Sequence, residues 1–144
     1  MRSSVASNNF HPGDAPDSVR QRLRDVRLGL FRLHKALIDS ERNLYERRNG
    51  VLSNGQFLQA LIQDSFFEWL RPFSGRLVEM DEALATKEPI EEPRARSFVE
   101  QTLGLIATST DGASLSRYDE VHRRDPNVLL AHVELTRRIT AASL

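Results

Sequence analysis

The stretch that decides the fold is residues 19–44, VRQRLRDVRLGLFRLHKALIDSERNL. A row of eight positions advances through it by alternating steps of four and three residues. Seven of these positions are apolar, and the eighth is Ser40. The apolar members are Val19, Leu23, Val26, Leu30, Leu33, Leu37 and Leu44. This spacing is typical of an amphipathic helix with a heptad seam. A second row beside it widens the apolar face: Phe31, His34, Ile38 and Tyr45. The pattern therefore predicts a helix in a bundle or in a bundle-forming oligomer.

The length of this helix raises the question of what covers it. We expect it to span residues 18–48, with Asp17 or Ser18 as its N-cap and Asn49-Gly50 as its stop. Such a helix is about 45 Å long, which is long for a chain of 144 residues. Its length predicts either projection beyond the core or a partner that covers the seam.

The rest of the chain supplies further helices. Pro72 interrupts an apolar row in residues 66–86 and should kink or restart that helix. The short helix 53–63 has four apolar residues that we expect on one face: Phe57, Leu58, Leu61 and Ile62. The predicted fold is all-α, an antiparallel bundle of four main helices (18–48, 66–86, 93–107 and 126–142) plus two short helices (53–63 and 114–124). Residues 1–16 are predicted to form a flexible tail, and residues 17–144 a single domain.

The composition limits the chemistry that the chain can perform. It contains no cysteine, which excludes disulfides, thiolate nucleophiles, iron–sulfur clusters and cysteine-ligated zinc. No apolar run approaches the ~20 residues that cross a bilayer, and residues 1–5 lack the apolar segment of a signal peptide. We therefore expect a soluble cytoplasmic protein of bacterial type with no membrane partner.

The charges are balanced in number but not in position. Residues 20–48 carry nine basic and four acidic side chains, whereas residues 64–100 carry five basic and nine acidic ones. The interpretation we favour is a basic helix that packs beside an acidic one, in the same chain or across a dimer. The alternative is nucleic-acid binding, which no helix-turn-helix, zinc-finger or RNP motif supports. In that case phosphates would be contacted by arginines of the first helix: Arg20, Arg24, Arg27 and Arg42.

Motifs for catalysis are absent from the sequence. There is no phosphate-binding glycine loop and no GxSxG nucleophile elbow. A di-metal bundle site needs Glu-x-x-His pairs on two helices, and the chain has only one comparable pair, Asp119 and His122. His34 and His132 lie on apolar rows and are interpreted as core residues. The alternative is a metal- or haem-binding bundle enzyme that uses His34, His132 or both, but we predict no cofactor and lean against an enzyme.

Protein–protein association is the function that the sequence favours. Trp and Arg are enriched at binding hot spots, so Trp69 and Arg71 are the first candidates for a partner surface, with Phe67 beside them. Arg24 and Arg27 are candidates on the first helix. We expect the chain to self-associate through that helix.

Overall fold

A computed structural model of the chain describes residues 16–108 and 116–142. Across those two ranges the protein is all-α, with no strand, and the predicted fold class is confirmed. A 3-10 helix, Ser65–Leu70, precedes the third α-helix. The α-helices are α1 (Pro16–Asn49), α2 (Asn54–Gln63), α3 (Arg71–Ala85), α4 (Glu92–Ile106), α5 (Arg117–Arg124) and α6 (Pro126–Ala142).

Contacts along α1 show that α3 runs antiparallel to it. Near the start of α1, the Arg20 guanidinium donates to the carbonyl oxygen of Leu84, at the end of α3, over 2.7 Å. Two turns later, Arg27 forms a bidentate pair with Asp81 at 2.7 and 3.2 Å. Residue numbers therefore rise along α1 while those of the contacting residues fall along α3. The basic first helix therefore lies beside an acidic helix of the same chain, as the charge pattern predicts.

α6 also runs antiparallel to α1, and α4 begins beside the start of α1. Arg22 donates to the carbonyl oxygen of Ala142 over 3.0 Å at the end of α6, while Gly29 lies against Leu135, earlier in α6. Arg22 also pairs with Glu92 at the start of α4, at 2.5 Å. Helices α1, α3, α4 and α6 thus form an up-down-up-down bundle.

The seam of α1 is buried by its own chain. All of its apolar members from Val19 to Leu37 are buried, and they belong to one core with side chains from α3, α4, α5 and α6. The sequence leaves open whether a partner covers the seam. In this structure the other helices of the same chain cover it. The periodic pattern shows that a face is buried, but not which chain buries it.

Most helix boundaries lie within three residues of the predicted ones, but residues 66–70 of the predicted helix 66–86 form the 3-10 helix, and residues 114–115 of the predicted helix 114–124 lie outside the described residues. Pro72 lies in the first turn of α3, so the chain restarts a helix there after the 3-10 segment. The expected tail, residues 1–16, lies outside the described residues apart from Pro16, at which α1 begins. The division into a tail and one domain stays a prediction.

Candidate interaction surface

α2 is a short helix with a capping box at its start and a side-chain hydrogen bond to α1 directly after its end. The Ser53 hydroxyl accepts the backbone N–H of Gln56 over 3.2 Å, and the Gln56 side chain accepts the N–H of Ser53 over 2.9 Å. This capping box satisfies two donors that the helix start leaves open. After the helix, the Asp64 carboxylate accepts the N–H of Phe66 and the hydroxyl of Tyr45, over 2.9 and 3.0 Å. The hydrogen bond from Tyr45 to Asp64 therefore joins the end of α2 to the C-terminal part of α1.

The side chains of α2 are apolar on two sides. Phe57 and Leu61 pack against the core, and the Phe57 ring meets the Phe67 ring edge-on at 5.6 Å. Leu58 and Ile62 point away from the core and are 59% and 62% exposed. The structure thus corrects the prediction that all four apolar residues share one face. No residue of α2 is fully buried, and none is charged.

A depression of about 500 Å³ adjoins the outer face of α2. It is formed by α1, α2, the 3-10 helix and the start of α3. The residues that line it are His34, Ile38, Leu61, Ile62, Phe67, Leu70, Arg71 and Ser74. We call this depression, together with Leu58 and Ile62, the α2 surface.

The α2 surface carries little charge. Burial lowers the pKa of His34 below its ordinary value, so this imidazole is neutral at pH 7. Arg71 donates to the carbonyl oxygen of Ile62 over 2.6 Å at the end of α2. Its guanidinium therefore satisfies a carbonyl that the helix end leaves open. What remains of the lining is apolar apart from the Ser74 hydroxyl.

The aromatic segment of the sequence divides between core and surface. Phe67, a predicted partner-binding residue, is fully buried and forms the floor of the depression. Trp69 is half-buried, and its indole N–H donates to Glu41 over 2.9 Å. Arg71 is exposed. Of these three candidates, only Arg71 has an exposed side chain on the α2 surface.

Three of the four arginines of α1 that were considered as phosphate ligands are engaged within the chain. Arg20 and Arg27 bind the end of α3, as described above, and Arg42 donates to the carbonyl oxygen of Leu52 over 2.8 Å. Arg24 is exposed and makes no ion pair with any residue in the described part of the chain. Of the four arginines proposed as phosphate ligands, Arg24 is thus the one whose charge is not already engaged.

Glu41 is a polar residue of the core that the sequence analysis missed. Its side chain is fully buried on α1 and accepts hydrogen bonds from Trp69, from Arg124 over 2.9 Å, and from Arg117. The two arginines stand at opposite ends of α5, seven residues apart. A buried carboxylate with this many donors ties helices together, so its role is to anchor α5 on α1.

The structure does not bring together the two histidines considered as metal or haem ligands. His34 lines the depression, whereas the His132 ring lies 4.6 Å from that of His122. Within residues 16–108 and 116–142, no group of three or more histidine, aspartate or glutamate side chains is placed to hold a metal ion. The geometry therefore gives no support to the metal alternative.

Two further findings bear on function. None of the helices that the structure describes combines the length and the apolar character of a membrane span. Comparison of the chain with protein-family models, with curated proteins and with solved structures finds no significant match. Function must therefore be inferred from the surface and the chemistry of the chain itself.

Proposed function

We propose that this protein acts by protein–protein association and that the α2 surface binds a second copy of the same chain. One observation carries this proposal: α2 exposes Leu58 and Ile62 while its other side already packs on the core. A helix packed on one side only usually has a polar outer face. The outer face of α2 is instead uncharged: it exposes Leu58 and Ile62 beside amide side chains, and it continues into a mostly apolar depression.

The absence of charge favours a second copy as the occupant. In a two-fold dimer each patch meets the same patch of its partner, so a charge near the two-fold axis would face its own copy. The ten residues of α2 carry no charge, although 28% of all residues in the chain are charged. The cation that lines the depression, Arg71, is engaged by the carbonyl oxygen of Ile62.

The size of the exposed patch predicts a weak dimer. Full burial of an exposed leucine or isoleucine side chain is worth roughly 1.5–3 kcal/mol. Leu58 and Ile62 each have more than half of that burial left to gain, so the four side chains of two copies contribute about 4–7 kcal/mol together. Because this contribution must first offset the large entropic cost of association, we expect dissociation in about the millimolar range.

Sedimentation velocity over that concentration range tests the proposal with a matched pair of variants. Ile62→Glu places a charge in the α2 surface, and Leu130→Glu places one on α6 at a position of similar exposure, 67% against 62%. We expect the wild-type chain and Leu130→Glu to dimerise with rising concentration, and Ile62→Glu to stay a monomer. Circular dichroism and a thermal melt check that both variants fold. A wild-type chain that stays monomeric, or a dimer that Ile62→Glu leaves intact, contradicts the proposal.

A further inference from the structure

α5 is joined to α6 through two histidines and a tyrosine. The rings of His122 and His132 meet edge-on, with centroids 4.6 Å apart and an interplanar angle of 76°. The Tyr118 hydroxyl lies 2.6 Å from Nδ1 of His132. Tyr118 is buried and both histidines are half-buried. We call these three residues the histidine contact.

The histidine contact suits neutral rings. Nε2 of His122 is buried and has no hydrogen-bond partner in the described part of the chain. A neutral imidazole can leave one nitrogen without a hydrogen, whereas a protonated ring carries a donor on both nitrogens. Protonation of His122 would therefore bury an unsatisfied charged donor, which is costly. Protonation of His132 as well would place two cations side by side.

Other titratable and charged groups lie on and around α5. On α5 itself, the Asp119 carboxylate accepts the N–H of Ser116 over 3.2 Å. Between α5 and α6, Asp125 accepts the N–H of Asn127 over 2.9 Å. From α1, Glu41 binds the two arginines of α5. From α3, the contact is made by the uncharged ring of Phe73, which stacks on Tyr118 at 6.0 Å.

We propose that α5 is a pH-responsive element of this protein, which separates from α6 when His122 and His132 become protonated. Separation exposes the part of the core that Tyr118 and Val121 cover. Separation lets water hydrogen-bond to Nε2 of His122 and removes the repulsion between the two protonated rings. The bundle of α1, α3, α4 and α6 stays folded. Since histidine is the one side chain whose ordinary pKa lies between pH 5 and 8, acidification through that range is the trigger.

The direction of the pH effect follows from the histidine contact. Burial, and secondarily the charge of His122, lower the pKa of His132. A lowered pKa means that the attached state binds fewer protons than the separated state. The attachment of α5 is therefore fully stable above the ordinary histidine pKa of about 6.5, and it weakens as the pH falls below that value.

Amide hydrogen exchange at pH 7 and pH 5, corrected for intrinsic exchange rates, measures this separation on the wild-type chain. We expect the protection of residues 117–124 to fall several-fold at pH 5 while that of residues 20–40 is retained. The only tryptophan, Trp69, gives a second signal because the Arg117 guanidinium lies 5.9 Å from its ring. Its emission should move to longer wavelength over the same range. Unchanged protection of α5, or equal loss in α1, contradicts the proposal.

Variants separate the histidine contact from other titrating groups. The double variant His122→Gln, His132→Gln should lose the response, whereas His34→Gln, which changes a half-buried histidine elsewhere, should keep it. A double variant that folds and still shows the wild-type response overturns the proposal. If the double variant does not fold, NMR titration of the wild-type His132 ring decides: a pKa of His132 at or above the ordinary value overturns it.

Discussion

Leu135 of α6 lies directly against Gly29 of α1, so closely that a Cβ atom on Gly29 would sit 3.3 Å from the Leu135 Cα and 3.0 Å from its Cδ1. The same atom would lie 2.9 Å from the Arg138 side chain. α1 and α6 form the most extensive helix pair of the described structure. A glycine at position 29 therefore permits the close approach on which the bundle depends.

Replacement of this glycine should destabilise the protein although alanine favours helices. Overpacking of a core contact costs about 1–3 kcal/mol, and the gain in helix propensity offsets about 1 kcal/mol of it. We expect Gly29→Ala to lower the free energy of unfolding by about 1 kcal/mol. The control is Gly75→Ala in α3, where a Cβ meets nothing within 4 Å. This substitution should raise the free energy of unfolding by up to about 1 kcal/mol. Urea unfolding measures both, and equal effects would show that Gly29 is not a packing requirement.

The buried carboxylate of α1 gives a second prediction. Removal of one partner from a buried ion pair costs about 3–5 kcal/mol, and solvent that reaches Arg117 and Arg124 reduces this, so we expect Glu41→Ala to cost about 3 kcal/mol. Glu120→Ala is the control because Glu120 pairs with Arg117 at the surface, at 3.7 Å. It should cost less than about 1 kcal/mol. Urea unfolding followed by Trp69 fluorescence makes the comparison; a small effect of Glu41→Ala would mean that α5 is held by its apolar contacts.

The sequence predicts the helices well because periodicity reports burial. The last helix, residues 126–142, is found at its predicted bounds, since an Asp-Pro start and an apolar row agree. Glu41 could not be recognised as buried, because the two arginines that bind it lie 76 and 83 residues away on α5. The contact of His122 with His132 spans a break between helices, where no fixed spacing applies. The one local signal that could have been used is the seven-residue spacing of Arg117 and Arg124, which places both on one side of a short helix.

Nucleic-acid binding by α1 is expected to be absent at physiological salt. Three of the four candidate arginines are engaged in the chain, and Arg27 in particular is held by both oxygens of Asp81. A mobility-shift assay with a short DNA duplex and with single-stranded RNA should show no complex. A complex that weakens steeply with salt and is lost in Arg24→Ala would restore the nucleic-acid alternative.

The pH dependence of overall stability should include a contribution from His34. Because burial lowers the pKa of His34, the folded state binds fewer protons than the unfolded state below the ordinary value of about 6.5. The free energy of unfolding should therefore fall from pH 7 to pH 5.5, and it should fall less in His34→Leu. Ser74→Ala, in the same depression, does not change a titrating group and should keep the wild-type slope. Identical slopes in wild type and His34→Leu would show that His34 remains solvated.

Cross-linking between copies of the chain at Leu58, near the middle of α2, tests the central claim most directly. Since the chain contains no cysteine, Leu58→Cys introduces a unique thiol on the α2 surface and Leu130→Cys introduces one on α6. With a short bismaleimide, we predict that Leu58→Cys yields a covalent dimer of twice the 16.4 kDa chain mass at concentrations where Leu130→Cys stays monomeric. Equal yields from the two variants, or a dimer only from Leu130→Cys, would contradict self-association through α2.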